Sequence, residues 1–167
     1  MQKEYKINQV NPSKGALEFS YLLDAPAGKH GFVQAKNGHL YYEDGTRARF
    51  LGFNMATRSN AVNHELAEKL AGRFASLGVN VIRLHAADAP IGEQERSWSS
   101  CKEAPLLDYE KGTSRFFHPE GLDRFDYFVA KLKEKGIYIH IDLIVAREFL
   151  LGDELDYDTK VASCSKC

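Results

Sequence analysis

Two short stretches carry the residue types from which a polar site can be built. The first is Arg83-Leu84-His85 with Asp88 three residues on. The second is His140-Ile141-Asp142, followed by Arg147 and Glu148. Side chains alternate along a strand, so Arg83 and His85 share one face while Ile82 and Leu84 share the other. The planar fork of an arginine can grip a carboxylate through two parallel hydrogen bonds, holding the acid ionised and oriented. The structural alternative is that Arg83 pairs with Asp142 on the neighbouring strand and that His85 is a satisfied polar core residue. In the second stretch His140 and Asp142 share a face, with Ile139, Ile141 and Leu143 on the other. The expected register sets Ile141 beside Arg83, which would turn Asp142 toward a capping or pairing role. Arg147 and Glu148, just past the strand, are candidate polar contacts.

Aromatic and sulfur chemistry lies further along. Trp98, the only tryptophan, sits among Ser97, Ser99 and Ser100, with Tyr109, Phe116 and Phe117 downstream. Flat aromatic rings beside a cleft suit the C–H faces of sugar rings, and Trp98 is the better platform. Phe116 and Phe117 read as anchors of their loop to the core. Cys164-Ser-Lys-Cys167 has the spacing of a metal or redox pair, a weak signal by itself. With Cys101 and a histidine it would make a three-thiolate zinc site, or Cys101 would close a disulfide; free thiols are the leading reading. The odd count of three leaves at least one thiol without an intramolecular partner. No cofactor is implied.

These residues need elements to hold them, and one unit occurs twice: a helical stretch, a glycine, then a strand. It runs Ala71 to Gly78 into Val79–His85, and Val129 to Gly136 into Ile137–Val145. Two αβ units joined head to tail begin a parallel sheet with covering helices. Asn63 reads as the N-cap of the first helix, with Leu66, Leu70, Phe74 and Leu77 on one face. Pro119 opens the second, with Leu122, Phe125, Val129 and Leu132 on one face. Ahead of them, Phe32–Ala35, Leu40–Tyr42 and Arg49–Phe53 look like short strands punctuated by Asn37-Gly38 and Asp44-Gly45. Residues 1–28 read as an irregular arm, and 29–167 as hairpin plus catalytic domain. The connection 86–118 is long for a compact domain, and such loops are often functional.

A closed (β/α)8 barrel takes about 200–250 residues or more, and this chain has 167. The fold class expected is therefore α/β: a partial (β/α)8 TIM barrel of three strands and two helices, preceded by an N-terminal β-hairpin cap. Arg83 and His85 would then point into the barrel mouth. Leu51, Phe53, Val81 and Ile139 are candidates for inward side chains that lose an opposing wall.

The bulk numbers exclude more than they select. A hydrophobic content of 44% suits a globular chain, and a net charge of −1 points to neither nucleic acid nor an anionic membrane. The first residues lack a signal-peptide core, and no run approaches membrane-spanning length. Localisation stays open, and is cytoplasmic if Met1 is the true start.

Three stretches together resemble a known family. They are Arg49-Phe-Leu-Gly-Phe-Asn54, the Leu-Ala-x-x-Phe-Ala-x-Leu-Gly-Val-Asn-Val-Ile-Arg-Leu-His stretch ending at His85, and Gly121-Leu-Asp-Arg-Phe-Asp-Tyr-Phe-Val-Ala-Lys-Leu-Lys-Glu-Lys-Gly136. They resemble the start of cellulase-like glycoside hydrolases, family five and its relatives in clan A. The resemblance spans roughly residues 30–155. It implies a barrel that cleaves β-glycosidic bonds with retention, an oligo- or polysaccharide partner, Arg83 as support for a nucleophile, and Asn54 at the polar end of strand one. His85, Asp88, Trp98, Tyr109 and Arg147 complete the candidate glycan contacts. Two departures stand out. The family often ends strand three with Asp-Leu-His, whereas Ile144 follows Asp142-Leu143 here. The acid/base glutamate of an Asn-Glu pair and the strand-seven nucleophile have no counterpart in this chain.

Retention needs two carboxyl groups about 5–5.5 Å apart. The expectation is thus an N-terminal glycosidase fragment, inert alone, with open strand edges prone to self-association. The alternatives are a non-catalytic carbohydrate- or partner-binding remnant and a small cysteine-based metal or redox module.

Overall fold

The computed structural model describes residues 18–89 and 104–155. Its first strands, β1 (Val33–Lys36) and β2 (His39–Tyr42), form an antiparallel hairpin pairing Val33 with Tyr42 and Lys36 with His39. Asn37 and Gly38 both have positive φ, 51° and 74°, the geometry of a two-residue turn that follows strand twist. The third expected strand begins later. Arg47 makes only a bridge to Tyr41, and β3 runs Gly52–Ala56.

β3 opens a three-stranded parallel sheet of order β3-β4-β5, with β4 at Val81–His85 and β5 at Tyr138–Ile141. Helix α1 (His64–Ser76) connects β3 to β4, and α2 (Pro119–Glu134) lies between β4 and β5. Asn63 caps α1 by accepting from the Leu66 amide, and His118 caps α2 by accepting from the Gly121 amide. Each helix ends at a glycine of positive φ, Gly78 and Gly136. Asn80 stitches the start of the sheet: its amide donates to Leu51 O, its side chain bonds Leu51 N and Arg49 O, and its carbonyl accepts from Tyr138 N.

One core joins one sheet face to both helices. Ala67, Ala71 and Ala75 of α1, Ile82 and Leu84 of β4, and Phe128 and Leu132 of α2 are all buried in it. Burying each large apolar side chain contributes about 1.5–3 kcal/mol. The stripe that packs differs from the one read in the sequence. Alanines bring α1 close to the sheet, while Leu66 lies at the rim, 43% exposed, and Leu70, Phe74 and Leu77 are half-buried. In α2 the fully buried aromatic is Phe128, with Phe125 at the margin.

The register also corrects an expectation. Arg83 pairs with Asn54 and His140, and Leu84 with Met55 and Ile141. In a parallel sheet, register partners share a face, so Asn54, Arg83 and His140 form one row on the face away from the helices. Phe53, Ile82 and Ile139 form the row on the helix side. Phe53 and Ile139 are therefore not inward side chains. Phe53 packs on Phe74 of α1 at 6.2 Å between rings, and Ile139 packs against the core.

The hairpin meets the sheet at its N-terminal end. Tyr42 stacks on Tyr138, the first residue of β5, at 5.5 Å, and Phe50 meets Tyr138 edge-on at 5.6 Å. Residues 18–31 reach the same end. Phe19 N donates to Ser76 O, Ala27 N to Lys133 O, and Gly28 N to the Tyr138 hydroxyl. A side chain at Gly136 would come within 3.0 Å of Ala25 N, so glycine there both ends α2 and admits this segment.

Candidate functional site

At the opposite end, where the three strands finish, the sheet face that no helix covers among the described residues gathers a polar cluster around Asp142. Arg83 grips its carboxylate with two nitrogens: Nε donates to Oδ1 at 3.2 Å, and Nη2 lies 2.8 Å from Oδ2. His85 Nδ1 is 2.5 Å from Oδ2. His140 Nε2 stands 3.9 Å from Oδ1. The third guanidinium nitrogen of Arg83 donates to Asn54 Oδ1 at 3.4 Å. Asp142 is thus on the same side as Arg83, and the expected outward turn does not occur. The observed register brings His140, and one residue past β5 Asp142, to that side.

The Asp142 side chain is 12% exposed, against 43% for Arg83 and 66% for His140. The hydrogen bond with His85, and then those with Arg83, hold its carboxyl below the usual carboxylate range despite its partial burial. A carboxylate so held stays ionised. It suits orientation of its neighbours better than proton donation. While His85 donates from Nδ1, a neutral ring presents Nε2 as an acceptor. The carbonyl of His85 is fixed from behind by Asn60, fully buried, whose Nδ2 donates to it at 2.8 Å.

The other candidates divide. Asp88 is buried, and both its oxygens accept backbone amides of the loop after β5: Val145 N at 2.9 Å and Ala146 N at 3.1 Å. The Tyr109 hydroxyl donates to Asp88 O at 2.8 Å and accepts from Glu148 N at 3.3 Å. Burial pushes that phenol up to about 12. Arg147 donates to Ser114 O at 3.0 Å. These three residues therefore tie together the loops that follow β4 and β5. Phe116 and Phe117 are exposed rather than anchored, and the Lys111 ammonium sits 4.6 Å from the Phe116 ring centre. Trp98, Cys101, Cys164 and Cys167 lie outside the described residues. Among those described, no three His, Cys, Asp or Glu side chains are arranged to hold a metal ion, and no helix is long and apolar enough to cross a membrane.

Asp153 organises a region that the sequence presents only as a polar tail. It is 2% exposed. Oδ1 accepts from Thr113 Oγ1 at 2.6 Å and from the Ser114 amide and hydroxyl, while Oδ2 accepts from Leu150 N at 2.7 Å. Burial acts to raise its pKa, but the hydrogen bonds of Thr113, Leu150 and Ser114 outweigh it and bring the group to about 2.

No protein-family model matches the chain, and no curated protein matches it. Among solved structures, the chain is similar to a glycoside hydrolase family 5 structure from Bacteroides vulgatus ATCC 8482. Identity is 15% and the TM-score 0.49, over 71% of this chain and 25% of that one. A second, described as a glycoside hydrolase, has 18% identity and a TM-score of 0.49, over 71% of this chain and 26% of that one. This chain spans about a quarter of the length of each.

Proposed function

We propose that the chain is the N-terminal part of a retaining glycoside hydrolase that acts on β-linked glycans. In this reading β3, β4 and β5 are the first strands of a (β/α)8 barrel, and residues 29–167 belong to its catalytic domain. The β1–β2 hairpin caps the N-terminal end. The observation that carries the reading is the Arg83–Asp142–His85 cluster, at the C-terminal ends of parallel strands and on the face opposite the one that the helices cover. Barrel enzymes build their sites at that end.

In the mechanism, Asn54, Arg83 and His85 face the glycan, and Arg83 supports a nucleophilic carboxylate supplied by a later strand. Asp142 fixes the planes of Arg83 and His85. Asp88, Tyr109 and Arg147 shape the loops that border the glycan, and Trp98 offers a ring for stacking. Retention needs one carboxyl group to protonate the leaving oxygen and a second, about 5–5.5 Å away, to attack. Asp142 is already engaged by two cationic or polar partners, and the pair would come from strands beyond β5. The chain alone is therefore inert.

The test assays the purified chain, and a longer protein that adds the remaining strands, on β-glucan and β-mannan. The expected result is turnover only by the longer protein, reduced by Arg83→Lys. Turnover by the 167-residue chain that is abolished by a point change within it overturns the inert-fragment reading. Glycan binding without turnover by the longer protein selects a non-catalytic binding remnant instead.

A further inference from the structure

Far from that cluster, both ring nitrogens of His30 face carboxylates. Nδ1 lies 2.5 Å from Asp44 Oδ2, and Nε2 contacts Asp24 Oδ2. Asp24 begins the segment that runs to Gly31, and Asp44 sits in the turn after β2. An ionised carboxylate only accepts hydrogen bonds, whereas a neutral imidazole has one N–H and one lone pair. Both contacts are hydrogen bonds only when both nitrogens carry a proton. Deprotonation leaves a lone pair against a carboxylate oxygen, and one contact becomes repulsive.

We propose that His30 is a pH-operated latch joining segment 24–31 to the hairpin turn, closed while its ring is an imidazolium held by both carboxylates and weakened once the ring loses a proton.

The surroundings fit a switch rather than a static ion pair. Lys29 pairs with Asp24 and keeps it ionised. Asp44 Oδ1 accepts from Thr46 N at 2.8 Å, which keeps that carboxylate oriented toward the ring. Glu43 accepts from Phe32 N at 3.1 Å, on the same side of the hairpin. The His30 ring lies 5.6 Å from that of Tyr42, whose phenol is pushed up to about 12, chiefly by burial, and stays neutral. Tyr138 meets the segment through the Gly28 amide. Thus, among the described residues, two carboxylates and one lysine are the charges that act directly on His30 and its partners, and the ring is the group among them that titrates near neutrality.

The hydrogen bond with Asp24, then that with Asp44, raises the His30 pKa above its ordinary 6.5. The sign follows. A raised histidine value means the stabilisation is complete below the unfolded value of about 6.5 and is lost as pH rises through the folded one. Asp24 is lowered first by Lys29 and then by His30; Asp44 is lowered chiefly by the Thr46 amide. At the acid end the latch therefore fails only below the usual aspartate range.

Beside the latch lies the space it would control. A groove of about 420 Å³ is lined by Gly28 and Gly31 from the segment, Phe32 and Val33 from the hairpin, and Val129 and Ile139 from α2 and β5. Two of its walls are the two pieces that His30 joins. Ala27 stays bonded to Lys133 O on α2, so opening is local to the far side of the segment.

The experiment is an NMR titration of the whole chain. It follows the His30 ring and the amides of Gly31, Phe32 and Thr46. The ring is expected to titrate above 6.5, with the amides moving at the same midpoint. The Asp24→Asn, Asp44→Asn double variant should return the ring to the ordinary range and uncouple the amides. A ring midpoint at or below 6.5, or amides that ignore it, overturns the latch. Hydrogen exchange of the unaltered chain, corrected for intrinsic rates, gives a check that needs no variant. Loss of protection above the midpoint confined to 24–46 supports the proposal, and unchanged protection there defeats it.

Discussion

Arg83 and Asp142 are 59 positions apart in the chain, yet the guanidinium of one meets the carboxylate of the other through two nitrogens. The meeting depends on register: β4 places Arg83 beside His140, so the chain two residues on carries a carboxylate to the same side. Because the hydrogen bond with His85, and then those with Arg83, hold Asp142 below the usual 3.8, the stabilisation they give is complete above 3.8. It fades as pH falls through the lower folded value. A carboxyl-carbon NMR titration should find Asp142 titrating below 3.8, and Arg83→Met together with His85→Phe should bring it back.

Replacing Asp153 with alanine orphans the buried Thr113 hydroxyl and Ser114 amide and the half-buried Leu150 amide. Each buried unsatisfied group costs about 1–3 kcal/mol. The expected outcome is faster hydrogen exchange across 112–115 and 148–154 and a lower unfolding temperature. With its carboxyl at about 2, Asp153 stabilises these loops fully above the ordinary aspartate value. That contribution is lost as pH drops toward 2.

A methyl group at Gly121 would stand 1.8 Å from the Pro105 carbonyl oxygen. The obstacle is backbone, so either α2 or the 104–107 strip must move. Gly121→Ala should therefore destabilise despite alanine's better helix propensity, by about 1–3 kcal/mol or more, the range of overpacking. Denaturant unfolding against Gly72→Ala is the comparison, because nothing lies within 4 Å of a methyl group at Gly72.

Phe128→Ala should cost about 3–5 kcal/mol, as large core truncations do, since Phe128 is wholly buried between α2 and the sheet. Leu66→Ala, at the exposed rim of α1, should cost less than about 1 kcal/mol. Equal losses would mean that α1 packs through its leucines.

Leu51 and Phe53 near β3, and Ile141, Leu143 and Ile144 around the end of β5, are exposed apolar side chains. Both strands have an open edge among the described residues. Unpaired edges invite pairing between chains. Sedimentation should show concentration-dependent association with binding of a hydrophobic dye, and a strictly monomeric, dye-silent chain would count against exposed edges.

How far these features were legible follows from where their causes lie. Asn63, Pro119, Gly78 and Gly136 act within one helical turn, and the ends of both helices were readable from them. Which stripe of α1 packs was not, because alanines at 67, 71 and 75 win by letting the helix approach closely, a property of the pair of surfaces. The register of β4 on β5, in which Tyr138 N donates to the Asn80 carbonyl, has no local signature in the sequence, and the expectation missed it by one residue. Asn60 and Asp153 find their partners 25 and about 40 positions away, so nothing in their neighbours announced them. Asp88 was readable as a polar residue just past β4, but its engagement with two amides past β5 was not.

The cluster also says something about time. Asn54 and Arg83 are separated by 29 positions, Arg83 and Asp142 by 59, and the β4–β5 ladder spans the connection 86–118 and all of α2. Closing a loop of that size precedes any reward from the contacts it makes. The α1 turn and the β1–β2 hairpin need only neighbours in sequence. The expected order of assembly is therefore hairpin and helices first, β3 on β4 next, and the carboxylate into its arginine last. A chain still being synthesised would carry Arg83 with its fork empty until Asp142 had been made and β5 had found its place.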